Sequence, residues 1–281
     1  MRGLIVTVAF LAAGSAAFAS GYDDYMRGFE ARHVGNADLA LSAYTAALAA
    51  PDLAPTYVPD AHVGRAEALM RKGRCGEAIA DLDAAIALRP SLIEALTLRA
   101  QAHNCAGQGD AALADLDSAI AAAPTTALFA LRGEFRWYRG EFALAAEDYL
   151  KGVKAQNKRT FEPRQGLYGL LGYAISATRA KTFDAAAFKT LAHDLPDDEW
   201  PAPIVAFIAG TAKLDEVYRE AARGEGDAPA FRKCQADFFI AEWQYGNGDP
   251  AGKELLLSLE KTCPKNAAVL RDARHDIKRI P

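Results

Sequence analysis

Four cysteines, five histidines and a few closely spaced carboxylates are the residues of this 281-residue sequence that could form a reactive site, and their spacing excludes most such chemistry. Cys75, Cys105, Cys234 and Cys263 form no Cys-x-x-Cys motif. No pair has the short separation, with histidines beside it, that zinc sites use. His33, His62, His103, His193 and His275 are scattered and read as surface or packing residues rather than bases or ligands. Asp81 with Asp83 and Asp115 with Asp117 stand two apart, which on a helix turns their side chains away from each other. They read as solvated features, not as a paired acid and base. Gly246-x-Gly248 follows no strand and so is not a phosphate loop, and no nucleophile elbow occurs. An enzyme would have to use His193 with Asp197, Asp198 and Glu199, which cluster in sequence; that is the lesser alternative. No catalytic residue, metal or cofactor is expected.

Composition narrows the class further. About half the residues are apolar, enough to build a substantial core, and 32 basic residues against 36 acidic ones give no basic stripe for nucleic acid or an anionic membrane. Residues 1–19 carry Arg2, an apolar run from Leu4 to Ala13 and the small-residue site Ala17-Phe18-Ala19. This predicts a signal peptide cleaved after Ala19, the apolar run being too short to span about 30 Å of hydrocarbon. No cysteine near that site is available for lipidation, and no later segment is expected to cross a membrane.

The elements that must position any site are visible as an internal repeat. Gly73, Ala78, Asp81, Leu82, Asp83, Ala85, Ile86, Ala87 and Pro90 recur 34 residues later as Gly107, Ala112, Asp115, Leu116, Asp117, Ala119, Ile120, Ala121 and Pro124. Gly28, Gly35, Ala40, Tyr44 and Ala47 precede the same pattern by 38 residues, with the Pro-rich segment Pro51–Pro59 absorbing the difference. Arg132, Gly133, Gly140, Ala145, Asp148 and Tyr149 follow it by 33. This pattern resembles the tetratricopeptide repeat, in which each unit is two antiparallel helices. The resemblance implies an all-α solenoid of four units, at about 20–51, 59–90, 92–124 and 126–157. Small residues would sit where helices approach, glycines in the turns, and prolines after the second helices. Residues 158–281 read as a helical extension with a degenerate hairpin turning at Gly246–Asp249 and a capping last helix. The basic residues Lys151, Lys154, Lys158 and Arg159 read as a solvated face.

Two further expectations follow from the repeat. Of the three pairings four cysteines allow, repeat geometry favours Cys75 with Cys105, across adjacent antiparallel helices, and the hairpin favours Cys234 with Cys263. The segment Trp200-Pro201-x-Pro203-Ile204-Val205-x-Phe207-x-x-Gly210, downstream of the repeats, resembles the periplasmic NlpI-type lipoproteins, although the lipidation cysteine is missing. That resemblance implies a periplasmic, non-enzymatic adaptor whose partner is a protease or cell-wall hydrolase of the peptidoglycan machinery.

In tetratricopeptide folds the first helix of each unit lines a concave groove, and the register then names the candidate partner-binding residues. They are Tyr22, Tyr25, Phe29 and Arg32, then Glu67, Met70 and Arg71, then Glu94, Gln101 and Asn104, and last Glu134, Trp137 and Tyr138. Rings at both ends of a polar middle suit a peptide segment of a protein partner. Asp60, Glu67, Glu94 and Glu134 stand where some relatives carry a carboxylate clamp, so a ligand of basic character is expected. Self-association, including a homodimer, is the structural alternative.

Overall fold

The computed structural model describes residues 20–155, 163–193, 195 and 198–280. The signal peptide expected at residues 1–19 lies outside them, as do Lys158, Arg159, Pro196 and Asp197. Among the described residues the chain forms fifteen helices and no strand. They are α1 (Gly21–His33), α2 (Ala37–Ala49), α3 (Val58–Arg71), α4 (Cys75–Leu88), α5 (Ile93–Cys105), α6 (Gly109–Ala122), α7 (Thr126–Arg139) and α8 (Phe142–Ala155), followed by α9 (Pro163–Arg179), α10 (Ala185–His193), α11 (Ala202–Ile208), α12 (Leu214–Ala221), α13 (Ala228–Gly246), α14 (Pro250–Thr262) and α15 (Ala268–Ile277). The fold is the expected all-α arrangement of helix repeats.

Local sequence sets the helix ends. Ser20 caps α1 with its hydroxyl and forms a reciprocal pair with Asp23; Asn36, Thr125 and Asp249 cap α2, α7 and α14. Gly35, Gly73, Gly107 and Gly140 all adopt φ between 73° and 78° in the turns that join first helix to second. A side chain there would have to enter the left-handed region, which costs an ordinary L-residue about 1–2 kcal/mol. α4 and α6 stop two residues before Pro90 and Pro124, as a ring lacking an N–H requires.

The chain divides into two compact units, one ending at Ala106 and the other starting at Gly107. The division falls inside the run of repeats. In the first unit α1 pairs with α2 and α3 with α4, α5 follows, and the first helices α1, α3 and α5 stand side by side. Ala66, Ala78 and Ala85 are completely buried there, which lets the helix backbones approach. In the second unit α7 pairs with α8 and α13 with α14. An inner row runs from α7 through α9 and α13 to α15, and α10, α11 and α12 pack on α9 and α13. Its core is built largely from α9, α11 and α13, including Leu167, Leu170, Leu171, Ile204, Val205 and Ile240.

Both expected disulfides form, one in each unit. Cys75 and Cys105 have Cα atoms 6.1 Å apart and Cys234 and Cys263 5.2 Å apart. Each closes a loop of about thirty residues, a constraint on the unfolded chain of about 2–4 kcal/mol.

Candidate functional site

The first helices of the amino-terminal unit present an aromatic and charged face. Tyr22, Tyr25 and Phe29 follow one another on α1 at helical spacing. Tyr57, immediately before α3, brings its ring to 5.1 Å from that of Tyr22 and 5.0 Å from that of Tyr25. Tyr44 of α2 lies beneath them, fully buried, its ring 6.0 Å from that of Tyr25. Tyr22 and Phe29 keep 45% and 38% of their surface in water. Rings held this way by neighbouring rings lose little freedom when a partner covers them.

Beside the rings, Arg32 of α1 joins all three first helices. Its guanidinium donates to Glu67 of α3 and, at 2.5 Å, to Glu94 of α5, while Arg71 donates to the other Glu67 oxygen at 2.8 Å. Burial opposes the charge on Glu67, but the bonds from Arg71 and Arg32 hold its carboxyl below the usual range. Met70 and Gln101 are half-buried and Asn104 is exposed.

This network bears on the expected ligand charge. Asp60 accepts from Arg89 at 3.0 Å, Glu67 and Glu94 from Arg32, and Glu134 from Arg271 at 3.1 Å. Each of the four acids is already matched by an arginine of the chain, so a basic ligand would have to replace a resident arginine. The aromatic cluster is the distinctive feature. Tyr57 belongs to it although it lies in the Pro-rich insertion, outside the helical register that names the other rings.

The fourth repeat departs further from expectation. Trp137 is only 4% exposed; its indole N–H donates to Asp276 of α15 at 2.9 Å. The Tyr138 hydroxyl donates to Asp272, and Arg279 donates to the carbonyls of Trp137 and Tyr138. Glu134, Trp137 and Tyr138 therefore face the chain's own last helix. Trp137 is a core residue, not a surface anchor.

Behind that contact lies a buried polar cluster with one member from each inner helix: Trp137 of α7, Arg179 of α9, Glu242 of α13 and Asp276 of α15. Glu242 and Asp276 are completely buried, and Glu242 lies 3.2 Å from Arg179. Burial first, and Asp276 second, push the Glu242 carboxyl up to about 8; burial likewise raises that of Asp276. The Arg179 guanidinium is stacked among Tyr245, Phe142 and Trp137, at 4.5, 5.3 and 5.8 Å from the ring centres.

The repeated aspartates also differ from expectation. Asp83 and Asp117 are exposed, but Asp81 and Asp115 are buried, Asp81 because it points between α4 and α3. Asp81 accepts two bonds from Arg65, at 2.6 and 2.8 Å, and one contact from His62 at 2.9 Å. Asp148, the fourth-repeat counterpart, accepts from Arg132 and Arg136. These are structural clamps.

Asp198 and Glu199 are exposed on a cleft with Arg164, Trp200, Phe231, Arg232 and Gln235; His193 is not in that lining, and Asp197 lies outside the described residues. Among the described residues no three metal-ligating side chains come together, and no helix is long and apolar enough to cross a membrane.

Comparison with known proteins agrees with the fold. A family model described as tetratricopeptide repeat matches residues 25–93 and 63–127. A tetratricopeptide repeat protein from Parabacteroides merdae superposes with a TM-score of 0.54 at 15% identity, over 92% of this chain and 97% of that one. The C-terminal part of a TPR repeat-containing protein from Cytophaga hutchinsonii gives 0.53 at 16% identity, over 92% and 88%. MamA protein gives 0.50 at 21%, over 62% and 90%. At these identities the likeness is one of fold, and no curated protein matches the chain. Residues 25–127 are tetratricopeptide repeats, and the chain has the all-α helix-repeat fold of the tetratricopeptide proteins.

Proposed function

We propose that this protein is a non-enzymatic adaptor that holds a segment of a protein partner on the face made by α1, α3 and α5. The observation that carries the reading is the ring cluster Tyr22–Tyr25–Tyr57 with Phe29. It leaves large apolar surface in water on a repeat fold whose general use is protein association. The Arg32–Glu67–Glu94 network spans three helices and keeps that face in one arrangement, so less order has to be imposed on binding. We take the setting to be the periplasm. The leader-like residues 1–19 and two disulfides support export. The resemblance to envelope lipoproteins suggests a protease or cell-wall hydrolase as the partner class.

The test is affinity capture from the native cell envelope with the mature chain beside a Tyr22→Ala/Phe29→Ala variant, circular dichroism first showing that both fold alike. A partner held by the parent and weakened at least tenfold in the variant is the expected result. Equal capture by both would move the binding surface elsewhere. Self-association is the second reading, favoured by one observation: at the fourth repeat the groove position is already filled by the chain's own α15. Sedimentation of the mature chain separates the two readings.

A further inference from the structure

α15 is short and polar for a helix that ends a core. It has ten residues and no side-chain cap at its start. It packs Val269, Leu270 and Ala273 inward, yet much of its hold on α7 is polar: Arg271 to Glu134, Asp272 to Tyr138, Asp276 to Trp137 and Arg279 to two backbone carbonyls. A helix of this length does not persist alone in water. Its helical form depends on its contacts, with α13 and α14 as well as α7, and the three α7 residues it covers are those that repeat register assigns to partner binding.

Docking also carries a charge cost. With α15 in place, two carboxyl groups, Glu242 and Asp276, are buried around one guanidinium, Arg179. The other polar neighbours of the pair are the Trp137 indole from α7 and, on α15 itself, His275, whose ring nitrogen lies 3.4 Å from Asp276. Two carboxylates against one cation leave a net negative charge in a dry site, unless one carboxyl keeps its proton. With α15 released, Asp276 returns to water and Glu242 faces Arg179 one to one.

We propose that α15 is a detachable occupant of the α7 face, a resident amphipathic helix whose release exposes Glu134, Trp137 and Tyr138 to a partner helix of the same pattern, and that release is coupled to loss of one proton from the buried carboxyl pair. That pattern is two adjacent apolar residues, then an arginine toward Glu134, an alanine two residues on, and an acid toward the Trp137 N–H five residues after the arginine. The proposal rests on the adaptor reading only for what opening serves. Opening itself is measurable without a partner.

Hydrogen exchange followed by mass spectrometry on the full mature chain, disulfides intact, is the test, run from pH 5.5 to 8.5 and corrected for the intrinsic exchange rate. A helix that detaches shows α15 less protected than α9 and α13. Release of one proton lowers α15 protection by up to tenfold per pH unit until about pH 8, where it flattens. Glu242→Gln, which needs no proton to stay neutral, is expected to remove that slope. Protection of α15 equal to that of α13 at every pH would make it a fixed part of the core and overturn the proposal. So would a full slope surviving in Glu242→Gln. The parent's own pH series decides the matter if that variant does not fold. Failure of the α1 capture experiment leaves this result standing, because it probes a different helix.

Discussion

Tyr44 and Tyr149 show how a repeat absorbs a change of side-chain size. At this position the second helix carries Tyr44, Leu82 and Tyr149 in the first, second and fourth repeats, and the facing position of the first helix carries Gly28, Ala66 and Gly133. A Cβ built on Gly28 would lie 2.9 Å from the Tyr44 ring, and one on Gly64, on the ring's other side, 2.3 Å. The tyrosine is thus seated between two glycines, and where leucine replaces it an alanine fits. Gly28→Ala is expected to destabilise the amino-terminal unit by about 1–3 kcal/mol, because a ring pinned on both sides cannot move aside. Adding Tyr44→Leu should recover about 1 kcal/mol or more of that loss in a double-mutant cycle measured by urea unfolding. Additive losses would show that the two residues do not compete for one space.

Between helices, the repeating Arg–Asp clamp fixes how a pair sits. Arg65 to Asp81 and Arg132 to Asp148 both span sixteen residues, from the first helix to the second of the same repeat. Arg99 and Arg132 also reach Asp83 and Asp117 on the preceding second helix. Asp148 is completely buried with two arginines on it. Asp148→Asn should therefore cost about 3–5 kcal/mol, most of it from the Arg136 guanidinium left without a carboxylate, since Arg132 keeps Asp117. Asp83→Asn, at a half-exposed carboxylate, should change stability by about 0.5 kcal/mol or less. Guanidine unfolding of the two variants checks the contrast, and equal effects would remove the distinction between clamp and surface pair.

For the whole molecule, the two units carry opposite pH dependence. In the amino-terminal unit burial works against the charge of Asp81 and Glu67, but their arginine bonds prevail and lower both carboxyls. Their contribution is present above the unfolded carboxyl range, about 3.9–4.3, and is lost as pH falls through the lower folded values. In the carboxy-terminal unit burial raises Glu242 and Asp276. The folded state there holds a proton that the unfolded chain gives up near pH 4, so stability declines as pH rises from about 4 to 8, by about 1.4 kcal/mol per pH unit for one proton. Calorimetry at pH 3.5, 5.5 and 8 should show two transitions. The amino-terminal one falls in acid, and the carboxy-terminal one falls toward pH 8. Parallel shifts of both would contradict these assignments.

The repeat, its turns and both disulfide pairings are legible in the residues alone. Glycine in a turn, alanine at a close approach and proline after a helix act through local geometry that recurs wherever the spacing recurs. The sequence also placed rings on first helices at both ends of the repeats, of which Tyr22 and Phe29 on α1 stay exposed. Other features depend on which surfaces meet in the fold. Trp137 and Phe29 occupy first helices alike, and nothing local tells that Asp276, 139 residues further on, will take the Trp137 N–H while Phe29 stays in water. The burial of Asp81 and Asp115, the pairing of every groove acid with an arginine and the entry of Tyr57 into the ring cluster are decided in the same way. A side chain's charge and exposure depend on neighbours that are close in space and distant in the chain, and helical periodicity carries no information about them.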